Sequence, residues 1–143
     1  MQLTPIIAIH LSAALGALAL GPVALWARRG HTSQAVHPQR PRLHRAAGYA
    51  WVTLMLATAI SAMFIRDFRL PNIGGYTPIH LFVPYTLGSL FLAFRHLLRG
   101  NIAGHRQAMV KLYLGACLIA GAFTLLPSRF LGQLVWGQWL GLL

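Results

Sequence analysis

The chain has 143 residues, of which 57% are hydrophobic and 9% charged, and a single acid, Asp67, stands against twelve Lys and Arg. Soluble domains carry about 25% charged residues, so an ordinary soluble domain is excluded, and the length fits one domain, 1–143. With one acid there is no paired carboxylate, no Ser-His-Asp set and no route for proton pumping through buried carboxylates; no Gly-rich phosphate loop is present either.

The N-terminal MQLTPII has no basic n-region, so the first apolar segment is expected to stay in place. About 20 apolar residues cross a bilayer, and four segments qualify: Pro5–Ala27, Ala46–Ile65, Thr77–Phe94 and Gln107–Leu126. Backbone groups in lipid must pair internally, so each is expected as a helix. Pro22 and Pro84 are expected to bend theirs, and Lys111 to snorkel to the interface. The Pro- and Gly-containing loop RLPNIGGYTPIH reads as an ordered cap, with Asp67 in an exposed local pair with Arg66 or Arg69. The tail 128–143 is too short to span again, and Trp136 and Trp139 suit an interfacial segment.

Charge sorts the connections. Five arginines lie in Arg28–Arg45 and four more basic residues in Arg95–Lys111, nine of the twelve. By the positive-inside rule both termini are non-cytoplasmic, and the net charge of +11 reads as topology and lipid contact rather than nucleic-acid binding. No aromatic residues interleave the basic loop to stack bases. Cys117 is the one cysteine, so an internal disulfide, a thiolate cluster and a Cys-x-x-Cys-His haem attachment are all excluded.

The two halves repeat. At an offset of 70, Ile9-His10-Leu11 falls on Ile79-His80-Leu81 and Arg29-Gly30 on Arg99-Gly100; His44-Arg45 then matches His105-Arg106 at an offset of 61. The fold class expected is therefore all-α: an integral membrane four-helix bundle of two repeated helical hairpins with a C-terminal interfacial segment. The pseudo-twofold axis would follow the membrane normal. It would set His10 opposite His80 and His44 opposite His105, at two levels roughly 20 Å apart.

Facing imidazoles in a helix bundle can take both axial positions of a haem iron, an arrangement suited to electron transfer. The expected site is haem b, one or two per chain, on His10 with His80 and on His44 with His105. Arg45 and Arg106 are placed for propionates, and Ala13, Ala14, Gly16, Gly48 and Ala108 let a flat ring approach. Tyr49, Trp51, Tyr85 and Tyr113 are candidates for a quinone pocket. Plainer roles stand beside these. His44 and His105 would bond headgroups or loop carbonyls, His10 and His80 would bond between helices, and His31, His37 and His96 would belong to the basic loops. A copper or zinc site from His31, His37, His44, His96 and His105 is a further alternative. Met109, one turn after His105, is a soft ligand or a packing residue.

With His10, the His44-Arg45-x-x-Gly48-Tyr49 start of the second helix and the His105-Arg106-x-x-Met109 start of the fourth, the chain resembles a family of small bacterial four-helix membrane proteins of unknown function. Ala108 stands where that family often has an aromatic residue. The family is similar in layout to di-haem b-type cytochromes of the ferric-reductase and ascorbate-reductase kind. That resemblance implies haem, with quinone or a small reductant as partner, in a multi-pass protein of the bacterial inner membrane. The alternatives are an accessory or assembly subunit of a respiratory complex, and a copper or zinc carrier.

Overall fold

The computed structural model describes residues 4–27, 41–68 and 71–142. These residues are helical, with one isolated bridge between Ile73 and Tyr76 and no strand among them. Helix α1 is Pro5–Trp26, entered from extended Thr4 with Pro5 in the first turn, where a missing N–H costs nothing. Helix α2 is Pro41–Ala62. A 3-10 turn, Pro78–Leu81, leads into α3, Phe82–Leu98. Helix α4, Ile102–Leu112, runs on through a π-helical segment, Tyr113–Ile119, into α5, Ala120–Thr124. The short helix α6, Phe130–Gly132, continues as a second π segment, Gln133–Trp139.

Among the described residues, three helical stretches are long and apolar enough to cross a membrane: Pro5–Trp26, Pro78–Leu98 and Ile102–Thr124. Four were expected. Helix α2 is as long as α1, but Arg42, His44 and Arg45 occupy its first turns, where the sequence had suggested a loop, and Thr53, Thr58 and Ser61 interrupt its apolar run. Those hydroxyls donate one turn back, to the carbonyls of Tyr49, Leu54 and Ala57, so each is satisfied within its own helix.

Helices α1 and α2 pack along each other. The buried rows are Ala13, Ala17 and Gly21 on α1 and Ala47, Trp51, Met55 and Ala59 on α2, every fourth residue in each case. Small residues let the backbones approach, which is how helices associate without a hydrophobic drive between them. Three side chains, His10, Trp51 and His44, bond across this seam to backbone carbonyls, and His10 also meets the Ser61 hydroxyl. His10 Nδ1 donates to the Thr58 carbonyl (3.0 Å), Trp51 Nε1 to Ala17 (2.9 Å) and His44 Nδ1 to Ala24 (2.8 Å). Seven residues forward along α1 match seven back along α2, so the two helices run antiparallel in a fixed heptad register from end to end.

Helix α3 packs against α4 and α2, and the first π segment returns to α1. The shared core is Ala17, Trp51, Met55, Leu90 and Leu112, with Met109, Tyr113 and Cys117 against it. Most other large apolar side chains face outward, including Ile9, Leu15, Leu87, Phe91, Ile119 and Phe123, as a lipid-facing surface requires.

The prolines act differently from each other. Pro22 is inside α1 and leaves the Leu18 carbonyl without its i+4 donor; the Tyr113 hydroxyl donates to it (3.2 Å). A Cβ on Gly21 would run into the Tyr113 ring, so only glycine admits that contact. Pro84, expected to bend its helix, instead sits in the first turn of α3, where no donor is needed.

Asp67 corrects an expectation. It is buried rather than exposed, and its carboxylate accepts from the Arg129 guanidinium at 3.0 Å, tying the α2–α3 connection to the C-terminal segment. Arg66 turns elsewhere, donating to the Gly74 carbonyl (2.6 Å) and lying 3.9 Å over the Tyr76 ring. Arg69 lies outside the described residues. The C-terminal segment is anchored again where Trp136 Nε1 donates to the Leu125 carbonyl (2.7 Å).

Candidate functional site

The four paired histidines fall at two ends of the helices. His44, the fourth residue of α2, is carried to the end of α1; His105, the fourth residue of α4, is carried to the end of α3. Each makes the same bond. His44 Nδ1 donates to the Ala24 carbonyl at 2.8 Å and His105 Nδ1 to the Ala93 carbonyl at 2.9 Å. A hydrogen on Nδ1 leaves the lone pair on Nε2, and that nitrogen of both rings has no hydrogen-bond partner among the described residues. A carbonyl bonded to one ring nitrogen while the other carries a free lone pair is the usual support of a metal-ligating histidine.

His10 is held in the same way, through Nδ1 to the Thr58 carbonyl, with the Ser61 hydroxyl oxygen at 3.1 Å. His80 is not. Its Nδ1 accepts the Thr77 backbone N–H (3.0 Å) and its Nε2 donates to the Ile65 carbonyl (2.9 Å), so neither nitrogen keeps a free lone pair in this arrangement. Tyr76 packs edge-on against its ring, with centroids 5.1 Å apart. Both histidines reach the end of α2, His10 to residues 58 and 61 and His80 to residue 65.

The other candidates separate. Arg45 and Arg106 are exposed at the basic end. A Cβ at Gly48, one turn after His44, would meet nothing within 4 Å; at Gly16 the Leu54 methyl is already 3.0 Å away. The four aromatics proposed for quinone do not line one pocket. Trp51 and Tyr113 meet at Gly21, the Tyr85 hydroxyl donates to the Lys111 carbonyl (3.0 Å) over Gly115, and Tyr49 is exposed. Met109 packs against the core. Among the described residues, no three His, Cys, Asp or Glu side chains gather where they could hold a metal ion, so His44, His96 and His105 do not form the copper or zinc cluster considered; His31 and His37 lie outside the described residues. His96 accepts from Asn101, the residue that caps α4 by accepting the Gly104 N–H.

Sequence reasoning missed a cavity of about 700 Å³ at the end opposite the basic loops, lined by Met63, Ile73, Tyr76, Pro78, His80 and Pro84 among others. It also missed Thr77 and Ile65 as the groups that hold His80. The cluster of Pro, Gly and aromatic residues around His80 was the available signal.

No curated protein and no solved structure matches the chain. A family does, over residues 7–140, and the chain belongs to it: the family described as "Predicted membrane protein (DUF2306)", whose function is unknown.

Proposed function

We propose that the chain is a membrane electron carrier of the b-type cytochrome kind that takes a haem iron between His44 and His105. The observation that carries this reading is the matched pair of Nδ1–H···O=C bonds, which orient both rings by backbone and leave Nε2 free. The donor set fits the group: two neutral imidazoles give a low-spin, electron-transferring iron with no site for oxygen. Arg45 and Arg106 would meet the propionates, and the space at Gly48 would admit the ring edge. His10 and His80 are the second candidate pair, with a condition attached, since His80 would first have to release Thr77 and Ile65.

The finer architecture belongs to the same proposal. The equivalent bonds of His44 and His105 support two repeated hairpins in a four-helix bundle, and the continuous α1–α2 register supports α2 as a crossing helix. The fall of nine of the twelve basic residues within the sequence stretches Arg28–Arg45 and Arg95–Lys111 supports both termini lying on the non-cytoplasmic face of a bacterial inner membrane. Quinone is the electron partner that such a site would serve.

The test is a reduced-minus-oxidised spectrum of the full chain purified with haem supplied. We expect a sharp α-band that is lost in His44→Ala and in His105→Ala and kept in His80→Ala, with circular dichroism confirming that each variant is helical. A haem-saturated preparation with no α-band, or one whose band survives both inner substitutions, would overturn the proposal. A second reading has its own support, because all four histidines tie elements together. They would then serve structure alone, in an accessory subunit that is colourless and co-purifies with a larger complex.

A further inference from the structure

The two ends of the molecule treat their arginines differently. Opposite the basic loops, Arg129 is paired with Asp67, and Arg66 is bonded to Gly74 and stacked on Tyr76. At the basic end Arg42, Arg45, Arg95, Arg99 and Arg106 are all exposed, and none of their guanidinium groups has a hydrogen bond, ion pair or ring contact among the described residues. No acidic side chain can supply the missing anions, since the one that the chain has, Asp67, is at the other end with Arg129.

Arg95, in the last turn of α3, and Arg99, the C-cap residue whose N–H still bonds the Arg95 carbonyl, are four residues apart and so lie on one face, where like charges on adjacent turns repel unless an anion lies between them. They are not needed as caps. Backbone N–H groups of Arg99, Gly100 and Asn101 already donate to the carbonyls of Arg95, Leu97 and His96. The same face continues away from the helix end with Phe91 and then Leu87, 67% and 40% exposed, and Leu98 beside the arginines is 88% exposed. From Arg99 to Phe91 is about 12 Å along the axis. The stripe therefore begins with a cationic pair at the helix end and becomes apolar toward the middle of the span.

We propose that Arg95 and Arg99 hold the phosphate of an anionic phospholipid whose acyl chain lies along Phe91 and Leu87. Guanidinium groups bind phosphate through paired N–H donors, and two of them on one face enclose a single headgroup. An acidic protein would match the charge but would have no use for apolar rows that run into the span. This inference does not depend on haem.

The test places the full chain in nanodiscs of phosphatidylcholine, alone or with phosphatidylglycerol. Thermal midpoints are read by tryptophan fluorescence, and retained lipids are counted by native mass spectrometry. We expect phosphatidylglycerol to raise the midpoint and to be retained over phosphatidylcholine by roughly tenfold, less at high salt. The ratio should fall close to one in R95Q/R99Q, stay near the wild-type value in R95K/R99K, and be unchanged in R66Q. Equal retention of the two lipids by the wild type would overturn the proposal. So would a ratio that persists in R95Q/R99Q, which would leave the pair to an acidic protein surface. Inorganic phosphate that raises the midpoint in phosphatidylcholine discs as much as phosphatidylglycerol does would also overturn it, in favour of a free-anion site.

Discussion

Gly21, Trp51 and Tyr113 show how single residues hold this fold. Tyr113 comes within contact of α1 only because Gly21 has no side chain, and its hydroxyl then meets the carbonyl that Pro22 leaves unpaired. Gly21→Ala should therefore destabilise the chain by about 1–3 kcal/mol through overpacking, read as a lowered thermal midpoint in detergent. Tyr113→Phe keeps the ring and removes only the donor, so it should cost about 1 kcal/mol. If the alanine variant melts with the wild type, the contact does not limit stability. Part of this was legible in the sequence. A proline inside an apolar helix announces an unpaired carbonyl four residues earlier. The donor that meets it lies 95 residues further on, and no local pattern points there.

At the scale of elements, the two ends of α2 are fixed by different means. Its basic end is tied to α1 by His44, and its other end leads into a connection locked by Asp67 and Arg129. Asp67→Asn should cost on the order of 1–3 kcal/mol, less than a fully buried ion pair because Arg129 keeps some access to water. Amide exchange should quicken at Asp67 and Tyr76, whose N–H groups bond Gly75 and Ile73 within the same connection. Unchanged exchange there would mean that the loop holds itself without the strap. The sequence led to a local pairing for Asp67 because neighbouring charges are the default partners. Burial adds a second demand, since a carboxylate out of water needs a committed cation, and Arg129 of the C-terminal segment supplies one. Helix existence was legible from apolar runs; helix starts were not, because the arginines at 42 and 45 are polar yet helical.

For the whole molecule, the number of crossings decides the orientation of the ends. Apolar length alone marks three spans among the described residues. The heptad register of His10, Ala17 and Ala24 against Thr58, Trp51 and His44 lays α2 along α1, and the proposed reading counts it as a fourth crossing. Four crossings would put both termini on one side. Reporters fused to the two ends should then show the same protease protection in inverted vesicles, and opposite protection would remove α2 from the membrane. The placing of His44 and His105 at the starts of their helices was readable from spacing. The difference between His80 and its three counterparts was not, because it depends on backbone groups at Thr77 and Ile65 that carry no sequence signature.

A chain with a single side-chain carboxylate, folded beneath an arginine, carries its own reporter group. Carbodiimide activation in the presence of a fluorescent amine, followed by peptide mapping that separates this site from the backbone's terminal carboxylate, would label that one side chain only in molecules whose C-terminal segment has momentarily lifted. The labelling rate would therefore time that opening directly, without any engineered tag inside the protein.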